Sequence, residues 1–490
     1  MSMSGSPDSR SSPSLSIGTD PKKQLRRVLG FWDVLLFNIV TVLGPRWLAA
    51  AGHNGTSSIS LWVLAAVLFF VPSAFVINEL STRYPNEGGL YAWSKEAFGD
   101  FHGFVAGWTY WIYTVFYFPG LLLASASMAA YIGGAGHAEL ATNREFLLIG
   151  CFVLLFVAVF FNLIGVNIGK WLQNAGGVGT YLPLLMLVGI SAWIWHIHGS
   201  LTHFTWKNMM PMWNQATVNF WPQMVFGFAG FELVATMSEE VRDPQRTLPR
   251  AVWGAGAAVT FMYIVGTVAV LGLIPAQQVD PLSGVFQAIT AGSTILKIGF
   301  FGVLAAVLVT IGNAGGVGST VAGIARVPFV AGVDRYLPKA FGKVHPKWRT
   351  PYVAILVQAI LSGAILLLAQ ISETMQSSYQ VLVSICDVLY FIPFLYMYAA
   401  AIRLAYRKDR SANPRAVLIP GGKAGVWIAA MLGFSVTFLG IVLSFIPPGD
   451  SASKVLFVSK LVAGTAVTVL LGLMLYWRGA REKSKASLIS

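Results

Sequence analysis

The stretch TVLGPRWLAAAG, Thr41 to Gly52, decides how this sequence is read. It lies inside an apolar run, yet it holds a Gly-Pro pair followed directly by an arginine. Pro45 removes a backbone N–H and disfavours helical geometry at Gly44, while its fixed φ suits the first position of a new helix. In hydrocarbon every backbone polar group needs a partner, so a helix is interrupted at membrane depth only where the gap is buried in protein or lines a cavity. The pair predicts one half-helix ending near Gly44 and a second starting near Pro45. The N–H groups of Arg46 and Trp47 and the positive dipole end of that second half suit an anion.

The rest of the chain fits a membrane setting. Of 490 residues, 56% are hydrophobic and 11% charged, whereas soluble domains carry about 25% charged residues. A helix needs roughly 20 apolar residues to cross a bilayer. About twelve such runs are present, at 31–52, 58–80, 103–132, 146–165, 178–198, 217–238, 250–274, 298–325, 352–371, 379–402, 425–446 and 455–477. The net charge of +13 is spread in short clusters between the runs and forms no basic domain, so no nucleic-acid partner is expected. Alternate loops collect the basic residues, and the opposite loops keep only Arg144, Lys207 and Lys454. That asymmetry predicts a multi-pass protein of the plasma (inner) membrane with both termini cytoplasmic. The Ser-rich start lacks the apolar stretch of a signal peptide and reads as a disordered cytoplasmic tail.

Cys151 and Cys386 fall within apolar runs, without metal-ligand spacing or a disulfide framework, and are expected to pack. The sequence has no phosphate loop, hydrolytic triad or cofactor box. Enzyme activity and a bound cofactor or metal are not expected.

A second candidate break, FGFAGFE, spans Phe226 to Glu232, where Gly227 and Gly230 precede a glutamate at membrane depth. The two breaks fall in runs one and six of twelve. Two inverted repeats of five helices would place them there, with substrate bound at the midplane between the discontinuous helices. That is a transporter architecture.

The residues around the breaks carry a family resemblance. NELSTRYPNEGGLYAWSKEAFG at the end of run two, GFELVATMSEEVRDPQRTLPRA (Gly230 to Ala251) and ARVPFVAGVDRYLPKAFGKVHPKWRTP (Ala325 to Pro351) resemble, in order, signatures of the amino acid-polyamine-organocation superfamily. The outline LGFWDVLLFNIV and the fifth-run Gly-Gly and Pro pattern look closest to its glutamate/GABA-exchanger-like branch. The resemblance implies an all-α membrane protein of about 12 transmembrane helices. Its five-plus-five inverted-repeat (LeuT-like) core would occupy residues 28–405, with broken helices 1 and 6. Peripheral helices 11 and 12 would follow at 406–478, between tails at 1–27 and 479–490.

It also implies secondary transport of amino acids or related amines by alternating access, with exchange favoured. A transporter-like amino acid sensor and a proton- or sodium-coupled amine or polyamine symporter are the alternatives. The implied partners are the amino acid or amine, the lipid bilayer, and a coupling proton or counter-substrate. A homodimer through helices 11 and 12 is a further option.

In the superfamily, unwound backbone of helix one holds the substrate carboxylate and helix six the amine. The corresponding residues here are Thr41, Leu43, Gly44, Arg46 and Trp47, with Gly227, Phe228, Gly230 and Phe231. The first-helix motif there commonly reads Gly-Ser-Gly-Ile-Phe; here it is GPRWL, so Pro45 loses an N–H and Arg46 stands where a glycine is usual. On helix five, some proton-coupled relatives keep a lysine in place of a sodium ion; the matching position here is Thr180.

Arg46 can meet a substrate carboxylate bidentately or pair with a buried acid, Glu232 or Asp387. Glu232 can hold a substrate amine, take a coupling proton or cap the broken helix. Asp387 can carry a proton or serve as a paired structural carboxylate. Trp111, in the aromatic stretch WTYWIYTVFYF, and Asn313, in TIGNAGGVGST, are further site candidates, and Trp47 and Phe231 are candidate gates.

Overall fold

The computed structural model describes residues 27–85, 88–211, 215–369, 375–407, 413–447 and 453–487. Apart from Arg27, the expected N-terminal tail lies outside the described residues, as do 488–490 of the expected C-terminal tail.

The first run forms two helices, α1 (Phe31–Val42) and α2 (Pro45–Asn54). The second forms α3 (Ser57–Arg83), with a π-helical turn at Ala66–Phe70. An amphipathic helix the apolar runs did not announce, α4 (Leu90–Phe98), leads into α5 (Asp100–Ala129). Next come α6 (Arg144–Leu163) and α7 (Val166–His198). The sixth run is split into α8 (Gln215–Phe226) and a 3-10 segment, Leu233–Glu240. The second half holds α9 (Pro244–Leu273), a second unannounced helix α10 (Gly284–Ile295), α11 (Phe300–Ile324) and α12 (Arg326–Val333). It closes with α13 (Tyr352–Ala369), α14 (Met375–Ala405), α15 (Gly422–Ser444) and α16 (Lys454–Ser487).

The architecture is all-helical among the described residues, with one isolated parallel bridge, Leu29 to Val241. Among the described residues ten helical stretches, with α1 and α2 counted as one, are long and apolar enough to cross a membrane. The apolar but shorter α13 and the interrupted sixth run stand at the two remaining places where crossing runs were read.

Helix α7 begins twelve residues before the run that starts at 178, because its first turns are polar and glycine-rich, with Gln173, Gly176 and Gly177 buried by neighbours. Gly176 shows why: a Cβ there would lie 2.7 Å from the Cα of Gly315. The glycines of α7 and α11 thus allow close backbone approach, as small residues do between membrane helices. Asp33 ties α1 to the same assembly. Its Oδ2 accepts the N–H of Gly30 at 2.8 Å and its Oδ1 accepts from Asn174 at 2.7 Å.

Helix α16 continues through the stretch expected as a C-terminal tail as far as Ser487. Helices α15 and α16 present apolar faces outward, with Ile428 71% and Val455 78% exposed, as lipid-facing peripheral helices do.

Candidate functional site

Helix one breaks where Gly-Pro places the break. Leu43 and Gly44 are extended, at φ −72°, ψ 102° and φ −110°, ψ 122°, and Pro45 opens α2. In the sixth run the chain leaves helical geometry after Phe226, with Gly230 at φ +115°. A Cβ on Gly230 would lie 2.9 Å from Cγ2 of Thr41. The two breaks therefore touch, and only glycine meets both the backbone angle and the approach.

Two sets of tyrosines pin them. The hydroxyl of Tyr263, on α9, lies 2.7 Å from the carbonyl of Val42 and 2.8 Å from that of Gly227, so it can donate to either break. Its ring is stacked on Trp62 at 4.1 Å. Tyr110, on α5, and Tyr390, on α14, both donate to Oε1 of Glu232, at 2.7 and 2.8 Å. Oε2 of Glu232 accepts the N–H of Gly230 at 3.1 Å. Glu232 thus receives three donors, an arrangement matched to a carboxylate's acceptor-only chemistry, and its geometry is that of a cap on the sixth-helix break.

Arg46 is 4% exposed. Its Cζ lies 4.4 Å from the ring centroid of Trp47 and 4.7 Å from that of Tyr117, so the cation sits between two π faces. Trp47 in turn meets Phe226 edge-on at 5.7 Å. These side chains separate two small voids. One, of about 20 Å³, is lined by residues including Thr41, Leu43, Gly44, Thr180 and Asn313. The other, of about 10 Å³, is lined by residues including Phe116, Phe226, Leu382, Val383 and Cys386. Both are water-sized at most, and Arg46, Trp47 and Tyr117 belong to both linings. The site is closed, with no room for an amino acid until these elements move.

Thr41, Leu43, Gly44, Arg46, Trp47 and Asn313 are thus brought together around one cavity. Thr41 Oγ1 is buried there without a hydrogen-bond partner, and Asn313 makes a long contact, 3.5 Å, to Met128 Sδ. Gly227, Phe228, Gly230 and Phe231 lie behind the cavity rather than on its wall. Phe228 packs among Trp62, Phe70 and Tyr263, and Phe231 lies 4.8 Å from Phe70. Trp111 lies further along α5, against Trp108 and Phe341, at 5.4 and 6.1 Å. Asp387 is 2% exposed, its Oδ1 has no hydrogen-bond partner, and it stands within electrostatic reach of Arg46.

Tyr117, Phe226 and Tyr263 were not singled out from the sequence. For Tyr117 a signal existed: Tyr110, Tyr113 and Tyr117 follow i, i+3, i+7 spacing and share one face of α5.

Comparison with known proteins agrees with this geometry. A family model described as amino acid permease matches residues 29–471. An uncharacterized transporter of Legionella pneumophila is 27% identical, over 91% of this chain and 96% of its own length. The serine/threonine exchanger SteT of Bacillus subtilis is 26% identical, over 81% of this chain and 87% of its own. The crystal structure of MhsT in complex with L-phenylalanine matches with a TM-score of 0.60 at 15% identity, covering 84% of this chain and 97% of that one. That likeness is one of fold, and it supports the LeuT-like core.

Proposed function

The chain belongs to the amino acid permease family, and from that premise we propose that this secondary transporter exchanges one amino acid for another at the cavity beside Arg46. The observation that carries the reading is the placement of Arg46. It is the one charged side chain on the walls of the two voids among the described residues, and it sits at the start of the second half of helix one.

A guanidinium and the positive end of α2 converge on the same space, and both favour a carboxylate. Thr41, Thr180 and Asn313 add neutral polar groups. Among the described residues no carboxylate stands on either wall, and that favours substrates carrying a carboxylate over polyamines, which need anionic partners. Neutral or acidic amino acids fit. Exchange is favoured because a relative is named a serine/threonine exchanger. The basic loops support a plasma-membrane location with both termini cytoplasmic.

Arg46, Trp47 and Tyr117 act as the gate: their stack closes the cavity on one side, and it must part before substrate enters. The test is counterflow in proteoliposomes, using a panel of labelled amino acids. Uptake should be stimulated by unlabelled neutral or acidic amino acid trapped inside. Uptake that no internal amino acid stimulates would refute exchange, and a response to polyamines alone would refute the substrate class.

A further inference from the structure

A groove of about 260 Å³ opens on the side of the bundle where α4, α5, α14 and α15 meet, and it shares no residue with the two voids. Phe98, His102, Leu395, Tyr396, Ala399 and Phe434 line it. Its two polar side chains, His102 and Tyr396, are hydrogen-bonded to each other at 3.2 Å. The ring of Phe98 meets both edge-on, at 5.8 and 6.4 Å. Water settles in a cavity only where it finds several polar partners, so this groove suits hydrocarbon.

One end of the groove is basic. Arg403, in the last turn of α14, holds its guanidinium carbon 5.3 Å from the ring centroid of Phe98. Lys423, in the first turn of α15, places Nζ 4.5 Å from the ring centroid of Tyr406, whose hydroxyl accepts the indole N–H of Trp427 at 2.9 Å. The neighbouring Arg407 is paired with Glu96, but among the described residues neither Arg403 nor Lys423 has a carboxylate partner. Cations beside a Tyr-Trp pair mark the headgroup level of a membrane protein.

The depths agree with that level. Along α14, Tyr396 lies seven residues below Arg403, and along α15, Phe434 lies eleven below Lys423, drops of about 10 and 16 Å. The hydrocarbon of one leaflet is about 15 Å deep. The groove thus runs inward from the two cations over the depth of a single leaflet.

We propose that this groove binds one anionic phospholipid, its phosphate met by Arg403 and Lys423 and an acyl chain lying along Leu395, Ala399 and Phe434. A soluble phosphate would use the cations alone and leave the apolar wall without a partner. A zwitterionic lipid brings an ammonium to a place whose nearby carboxylate, Glu96, is already held by Arg407. The lipid would brace α14 against α4 and α15. Helix α14 also carries Tyr390, whose hydroxyl donates to Glu232 at the sixth-helix break, so the brace acts on a helix that holds the site.

The experiment titrates the full chain, stripped of lipid in a neutral detergent, with phosphatidylglycerol, phosphatidylcholine or glycerol phosphate. Thermal unfolding and native mass spectrometry are the readouts. Phosphatidylglycerol should raise the melting temperature saturably and leave one lipid bound per chain. Phosphatidylcholine should need a concentration about tenfold or more higher, and glycerol phosphate should have no effect. Arg403→Ala combined with Lys423→Ala should weaken the phosphatidylglycerol response about tenfold or more. Ala399→Trp, which fills the groove and keeps the cations, should abolish it. An equal shift with glycerol phosphate would overturn the proposal in favour of a soluble-anion site. An undiminished phosphatidylglycerol response in the double variant would also overturn it, since the lipid would then be drawn to the basic surface at large. Should Ala399→Trp fail to fold, the double variant still decides, because Arg403 and Lys423 are exposed.

Discussion

Arg46 holds its guanidinium carbon 4.7 Å from the ring centroid of Tyr117, across the gap between α2 and α5. With the ring centroid of Trp47 4.4 Å from the same carbon, these three side chains wall both voids. A cation over an aromatic face in a desolvated place is worth about 2 kcal/mol, enough to bias a closed state yet small enough to be broken in each cycle.

Tyr117→Ala should therefore open the way to Cys386. In a Cys151→Ala background, Cys386 is the remaining thiol, and it is 2% exposed on the far side of the stack. A small thiol reagent should label it about tenfold faster in Tyr117→Ala than in the parent, if roughly 1.4 kcal/mol of closure is lost. Tyr117→Phe, which keeps the ring, should label at the parent's rate. Equal labelling of the Ala variant and the parent would show that the ring is no part of the gate.

Tyr263→Phe removes one hydroxyl from between two helix breaks. The carbonyls of Val42 and Gly227, at 2.7 and 2.8 Å, then share no donor, which should cost about 1–3 kcal/mol. Thermal unfolding in detergent should shift down, and counterflow should slow even at saturating substrate. An unchanged melting temperature and rate would show that the hydroxyl does not brace the breaks.

Gly230→Ala should be the more damaging change. The residue sits at φ +115° and its Cβ would meet Thr41 at 2.9 Å, so backbone strain of about 1–2 kcal/mol is added to a clash at the contact between the breaks. Loss of counterflow in protein that still elutes as a single species is expected. Normal transport would mean that the two breaks need not touch.

Lys95, on α4, pairs with Asp334 at 2.7 Å and with Asp100 at 3.2 Å. Burial works against its charge, but the hydrogen bond to Asp334 and the two carboxylates outweigh it and raise the lysine above its ordinary 10.5. A lysine raised on folding contributes stability below its unfolded value and loses it only as pH climbs through the folded one. Asp334→Asn should lower the melting temperature by the same amount throughout the range from about pH 6 to pH 9. A deficit that fades within that range would point to a different titrating group.

How far these features could be read from sequence depends on whether their cause is local. Gly44-Pro45 encodes its own break through the missing N–H and the restricted residue before proline. The half-helix begins at Pro45 as the local chemistry requires. Gly230 and Glu232 carry a weaker local signal, and the capping option for Glu232 is the one its hydrogen bonds match. Tyr263 is different: its role exists only because α9 crosses both breaks, which no nearby residue announces. Trp111 and Tyr117 lie on one helix, and the sequence shows a wealth of aromatics without saying which of them meets Arg46. The early start of α7 was hidden because glycines buried against α11 look polar and loop-like in an apolar count. The amphipathic α4 and α10, nine and twelve residues long, are too short to stand out as membrane-length apolar runs.

The most direct test compares counterflow of acidic and neutral amino acids in the wild type and in Arg46→Ala. A charge-assisted contact to a substrate carboxylate is worth about 1.5–3 kcal/mol, or roughly ten- to a hundredfold in affinity. Arg46→Ala, in correctly folded protein, should weaken every transported amino acid by about tenfold or more, with acidic ones losing most. Unimpaired affinity for all substrates would contradict the account, since Arg46 would then stand beside the site and not in it.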